Sequence, residues 1–371
     1  MAWTTVLARS FCLPRSPSWC YNPVLLAVIA RTSVAFVFLA LLLSGRVAQA
    51  QKKKGEEEDI TQTLAALKDP PAAVTADTAH LSFQVSPLSA KGLLSQQVRD
   101  ALKELLHSSR GGAIVKLRAF VAGSGDLRRV QNLVSETFTE RKLALPALTT
   151  IQAGALPMAG AQVVMESATT DKKIVNPQGL AFFSGQTVEQ LQASARAAGV
   201  ASGSMLRVTC FLNSLDQAPK VRSAIAAAFP SAAANYIQLQ RLESGPVVAC
   251  EGVGRLEKPS ASTLIMSGSA ALVNSSKLVI TGAQMAFGEE DRDVRLAFER
   301  LRKTMDALGA GYKDMFWSGT YAVTRRMSDE AGKIGAEFYD PSRTPAGTSL
   351  QFEGLPSLDS SVAIEAIAAV N

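Results

Sequence analysis

The sequence predicts an α/β protein of the α+β sandwich kind, assembled from three tandem copies of one small unit. Three observations predict it. A β-rich stretch ending in an aromatic recurs as Val115–Phe120, Leu206–Phe211 and Phe316–Tyr321. Each is followed by an apolar helical face that closes on phenylalanine, 18, 18 and 17 residues beyond the first aromatic: Val130/Val134/Phe138, Val221/Ile225/Phe229 and Ile334/Phe338. A last strand then carries a glutamate (Glu166, Glu251 or Glu365) lying 10, 9 or 10 residues after a leucine at positions 156, 242 and 355.

The remaining elements follow in chain order. The first 50 residues hold Arg9, Arg15, Arg31 and Arg46 and no acid, with an apolar run from Val34 to Leu43 and a small-x-small ending at Val47-Ala48-Gln49-Ala50. That pattern predicts a signal peptide over 1–50 and a secreted or periplasmic protein, the alternative being an uncleaved N-terminal membrane anchor. Residues 51–77, with Pro70-Pro71, read as a linker, and Lys52-Lys53-Lys54 and Glu56-Glu57-Glu58-Asp59 as a solvated tail. The copies are placed at 78–170, 171–258 (compressed) and 259–371 (most complete). Each opens with a strand, at 81–85, 180–183 and 278–281. A helix follows in each copy. Its face is Val98/Leu102/Leu105 in the first, Val188/Leu191/Ala195 before Gly199 in the second, and Val294/Phe298/Leu301/Met305 before Gly309 in the third. The unit is therefore one sheet with two helices on one face.

Several third-copy segments carry a resemblance. They are Leu278-Val279-Ile280-Thr281-Gly282-Ala283-Gln284, the stretch Pro345-Ala346-Gly347 running to Leu355-Pro356, and Val362-Ala363-Ile364-Glu365-Ala366-Ile367-Ala368. Together these segments resemble the RidA/YjgF group of reactive imine deaminases and relatives, and Ser184-Gly185-Gln186 matches its Ser-Gly-Gln in the second copy. The resemblance implies a chorismate-mutase-like fold and a trimer with sheets inside, helices outside and ligand clefts at subunit boundaries. Three copies in one chain then imply a monomeric, intramolecular pseudo-trimer; three separate units pairing with other chains is the alternative.

The family's chemistry is another matter. The resemblance implies an arginine that clamps the substrate carboxylate, a role for which a planar guanidinium is suited and lysine is not. Its positions here are Leu148, Ala234 and Gly347. The implied acid on the closing strand falls on Val164, Ala249 and Ala363. Glu365 and Arg343 are left as catalytic candidates, with Ser184, Gly185, Gln186 and Gln284 as candidate ligand contacts. Structural readings stand beside them: a glutamate closing a polar network, an exposed loop arginine, a strand-end turn. Arg325-Arg326 reads as a solvated loop pair.

Other classes are excluded or disfavoured. Without its first 50 residues the chain has 34 basic against 32 acidic side chains, no footing for a nucleic-acid partner. His80 and His107 stand far from metal-ligand spacing, so no metal is expected, and no cofactor motif is present. Cys210 and Cys250 are either a disulfide, which export permits, or two buried thiols. The functional expectation is a RidA/YjgF-like protein that binds small ligands or partners at clefts between copies, its deaminase site degenerate. The alternative is a divergent 2-iminobutanoate/2-iminopropanoate deaminase.

Overall fold

The structure, a computed structural model, describes residues 67–240, 248–267 and 269–370. The core of each unit is the same path of strand, helix, strand, helix, strand, strand. The first unit comprises β2 (Leu81–Val85), α1 (Leu94–Ser108), β3 (Ala113–Ala122), α2 (Leu127–Glu140), β4 (Ala147–Ala153) and β5 (Val163–Thr170). The second comprises β6 (Leu180–Gln186), α3 (Val188–Ala197), β7 (Met205–Leu212), α4 (Ala218–Ala228), β8 (Ala233–Gln238) and β9 (Val248–Arg255). In the third, β12 (Lys277–Thr281) and β13 (Gln284–Phe287) precede α5 (Asp291–Asp306), β14 (Met315–Ala322), α6 (Arg325–Phe338), β15 (Ala346–Gln351) and β16 (Ser360–Val370). Two of these helices start on side-chain caps of the first and second units: Asp126 accepts from the Arg129 N–H, and Thr187 and Gln190 form a reciprocal box. Arg325 and Arg326 lie in the first turn of α6 rather than in a loop, because Thr324 caps that helix by accepting from the Met327 N–H. They remain exposed and pair with Asp329 and Glu289.

Strand alternation sorts each unit into two faces. Leu117, Ala119 and Val121 of β3 pack under α1 and α2 with Val98, Leu102, Val134 and Phe138. Matching cores lie under the helices of the second and third units. The opposite faces of the three sheets meet one another. Phe120, Phe211, Phe352 and Tyr321 form one shared cluster, with Phe120–Phe211 and Phe211–Phe352 centroids 6.0 and 5.8 Å apart. Sheets are therefore inside and helices outside, as the sequence predicts.

Two added pieces close the arrangement. β10 (Leu264–Ser267) and β11 (Ala270–Val273) stand within 259–371 in the chain, yet β11 pairs with β6 and extends the second sheet. β1 (Ala73–Ala76), within the stretch read as a linker, pairs with β12 of the third sheet. A strand that precedes the first unit thus pairs onto the sheet of the last one.

Cys210 and Cys250 are directly opposite across β7 and β9 and form a disulfide, so the alternative of two free thiols does not hold here. Leu242, Glu243 and the predicted signal at 1–50 lie outside the described residues.

Candidate functional site

The strand registers define equivalent positions. Arg118, Thr209 and Gly319 each sit opposite the closing-strand glutamates Glu166, Glu251 and Glu365. One inward rung away lie Lys116, Arg207 and Trp317, opposite Ala168, Val253 and Ile367. The parallel neighbours Thr149, Asn235 and Thr348 complete the rung. All of these groups point to the centre, where the sheets meet in a buried polar layer.

Glutamate pairing runs from one unit to the next. Glu166 accepts from Thr209 Oγ1 (2.6 Å) and Asn235 Nδ2 (2.8 Å) of the second unit, and from Arg118 Nη2 (2.6 Å). Glu365 accepts from Lys116 Nζ (2.5 Å) and Thr149 of the first unit, and from its own unit's Tyr321 hydroxyl. At the junction of second and third units the equivalent donors are Trp317, Gly319 and Thr348, none of them cationic. Glu251 instead takes Arg118 Nη2 from across the centre at 2.5 Å. Gly319 is part of this design: a Cβ there would stand 2.9 Å from the Tyr321 hydroxyl oxygen and 3.2 Å from Glu365 Oε1.

Burial raises the Glu166 carboxyl, but Arg118 and Arg207 outweigh it and hold the group at about 2. In Glu365 burial is likewise outweighed by Lys116 and Arg118, and its carboxyl is lowered. Burial opposes the charge on Arg118, but Glu166 and Glu251 outweigh it and the guanidinium stays firmly protonated. Lys116 is lowered by desolvation, with Glu365 pulling the other way. Burial, then Glu365, pushes the Tyr321 hydroxyl well up. Glu365 is thus a partnered ion in a buried network, held by Lys116, Thr149 and Tyr321.

Successive units meet at three junctions, near the end of each opening strand. The one between third and first units is bridged by the Ala283 N–H donating to Leu148 O at 3.3 Å, and a Cβ on Gly282 would come within 2.8 Å of that oxygen. The one between second and third is bridged by the Gly185 N–H donating to Thr348 Oγ1 at 2.8 Å. Between first and second units a cleft of about 460 Å³ stays open. Its walls include Val85, Leu88, Ile225 and Phe229, with Val164 and Ala234 inside it. At its edge the Arg222 guanidinium lies 5.4 Å from the Tyr236 ring centroid.

The sequence-derived candidates do not assemble into one site. Ser184, Gly185 and Gln186 end β6, where Gln186 Oε1 accepts from Ser194 and Ser269. Gln284 opens β13 at the equivalent place in the third unit, beside the other bridged cleft. Arg343 stands in an exposed turn between α6 and β15 and makes no ion pair among the described residues. The central cations went unremarked in the sequence. Their one signal was alternation within Lys116-Leu117-Arg118-Ala119-Phe120, which ordinarily marks a solvent face.

No family model matches the sequence, and no curated protein matches it. Solved structures do match. A member of the YjgF/YER057c/UK114 family from Mycobacterium tuberculosis is 23% identical, with a TM-score of 0.24, over 29% of this chain and 98% of that one. A YjgF-family protein from Neisseria meningitidis is 14% identical, TM-score 0.24, over 27% and 84%. A protein of the conserved Rid family from Yersinia pestis is 20% identical, TM-score 0.25, over 27% and 84%. Each match takes in most of the solved chain and less than a third of this one.

Proposed function

We propose that this chain is an exported binding protein whose ligand enters the open cleft between the first and second units, and that it does not deaminate imines. One observation carries the proposal. The cleft that stays open has Ala234 where the family resemblance implies the carboxylate-clamping arginine, and Val164 where it implies the acid. A methyl group and an isopropyl group neither hold a carboxylate nor move a proton. The cleft keeps apolar walls and one cation at its rim, Arg222, which suits a small, chiefly apolar ligand bearing one anionic group. Export is the reading of the first 50 residues, and a single-chain pseudo-trimer is the assembly it would export.

Hydrolysis of 2-iminobutanoate tests the chemistry. Turnover at the buffer rate is the expected result. Turnover well above buffer, abolished by Arg343→Ala, would support the divergent deaminase in its place.

A further inference from the structure

The three sheets are not equally complete. The second and third each hold six strands and the first only four, with β2 at its edge. In the second sheet β11 pairs antiparallel along the outer side of β6, and in the third β1 pairs antiparallel along the outer side of β12. Each added strand comes from the stretch that precedes the next unit round the ring, β11 before β12 and β1 before β2. The stretch before the second unit, 171–179, contributes no strand. It caps only the start of the edge. There the Val175 and Asn176 N–H groups donate to Ala79 O at 2.8 and 3.0 Å, and Asn176 Nδ2 donates to Leu81 O at 2.6 Å. Pairing fixes what the rest of the edge presents. The Asp171 N–H donates to His80 O and the Ser86 N–H to Met165 O, so the even-numbered residues of β2 bond to β5. Phe83 and Val85 therefore turn their N–H and C=O groups to the outer side, where no strand among the described residues pairs with them. β2 touches β7 and β8 of the second unit, but β6 likewise touches β15 while carrying β11, so the neighbouring unit does not exclude an added strand.

We infer that the open edge of β2 takes an extended segment of a partner protein in which acidic and small aliphatic residues alternate, adding an antiparallel strand to the first sheet. The filled edges supply the direction and the aliphatic positions. Ala271 lies opposite Phe182 and Val74 opposite Ile280, and both join the apolar cluster that holds Leu81. Phe83 is the first-unit equivalent of Phe182 and Ile280 and is half-buried against the same cluster, so a residue of that size fits opposite it. Charge supplies the acidic positions. The other face of β2 carries Ser82 and Gln84, where the second unit has Ala181 and Phe183 packed under its helices. With His107, Ser108 and Arg110 at the end of α1, and with Asp171, they line a hollow of about 860 Å³. Asp171 accepts from the Lys173 N–H at 3.1 Å, whereas Arg110 makes no ion pair among the described residues. A Cβ on the neighbouring Gly111 would stand 3.2 Å from Lys172 Nζ, a second cation on that side. A strand beside β2 places alternate side chains on this face, and an acid there meets the unpaired guanidinium. β2 itself carries no acid, so a second copy of the edge does not supply one.

Binding of a short blocked peptide of alternating glutamate and valine to the full chain, read by fluorescence anisotropy and by hydrogen exchange at Phe83, tests the inference. Saturation with a dissociation constant of about 100 µM or below is expected. The Phe83 amide is expected to exchange quickly without peptide and roughly tenfold more slowly, or slower still, with it. A peptide with lysine in place of glutamate is expected to bind roughly threefold or more weakly. Arg110→Asn, which tolerates the φ of 49° at that position, is expected to weaken the glutamate peptide by a similar factor. N-methylation of the valines leaves the protein untouched and removes the donor that a bonded pair with Phe83 needs, and it is expected to weaken binding roughly tenfold. The inference is overturned by no saturation at about 1 mM, roughly tenfold above the expected constant. It is overturned equally by a lysine peptide that binds as well as the glutamate one, by an Arg110→Asn chain or an N-methylated peptide that binds unchanged, or by a Phe83 amide already protected in the free chain, which would show the edge filled by the chain itself or by a second copy.

Discussion

Arg118→Leu removes the one side chain that touches glutamates of the first and second units and the Tyr321 hydroxyl of the third, with Glu365 3.6 Å away. Leucine fills part of the volume but leaves Glu166 and Glu251, each 1% exposed, short of their shared cation. Breaking a buried ion pair on one side costs about 3–5 kcal/mol. For a body of about 300 residues that corresponds to a fall in Tm of roughly 5–8 °C. Calorimetry at pH 7 reads the fall directly. Lysine at 118 is expected to recover little, since a point ammonium cannot reach two carboxylates as a guanidinium fork does. The deficit has a pH signature as well. In the variant Glu166 loses the cation that does most to hold its carboxyl down, so lowering the pH neutralises it and relieves part of the penalty. The gap between the two proteins is expected to narrow from pH 7 to pH 4. A Tm within about 2 °C of the parent at pH 7 would refute the reasoning, as would a gap that widens in acid.

Glu166, held at about 2 against an unfolded value of 4.5, contributes on the order of 3 kcal/mol that is complete above pH 4.5 and lost as the pH falls toward 2. Glu166→Gln is therefore expected to flatten the acid limb of the stability curve measured by urea unfolding. The Cys210–Cys250 bridge closes a loop of 40 residues, so reduction, or Cys210→Ala with Cys250→Ala, is expected to lower stability by about 2–4 kcal/mol in guanidinium titrations. Gly282→Val sets a side chain against Leu148 O where a Cβ alone would stand 2.8 Å away. It is expected to cost about 1–3 kcal/mol and to raise hydrogen exchange along β4 and β12, the two strands of that junction.

Much of the fold was legible because each unit solves the same packing problem with the same periodicities. Val130, Val134 and Phe138 had to lie under one face of a helix, and they do. The third-unit helix was bounded by Gly309, which adopts φ 79° as a helix stop requires. Two features were not legible, for physical reasons. Nothing in the four residues Ala73–Ala76 states that they pair with Leu278–Thr281, some 200 residues away, because strand pairing of short apolar segments carries little sequence specificity. Likewise Lys116, Arg118 and Arg207 read as solvent-facing until three sheets are brought face to face. Only then do their partners, the recurrent glutamates of the closing strands, show why that acid is common to all three units.

The places where the resemblance implies a clamping arginine were legible for the opposite reason. Leu148, Ala234 and Gly347 occupy matching places in the parallel strands β4, β8 and β15, so a local alignment sufficed to find them. What the alignment lacked was the inequality of the three junctions: the backbone N–H at the end of the opening strand reaches the neighbouring unit from Gly185 and from Ala283.

One chain is expected to close the ring by itself, with β1 pairing onto the third sheet. Sedimentation equilibrium over a range of concentrations reads its mass in solution. The mass of a single chain throughout is expected. A species of three chains that persists on dilution would rule out closure within one chain.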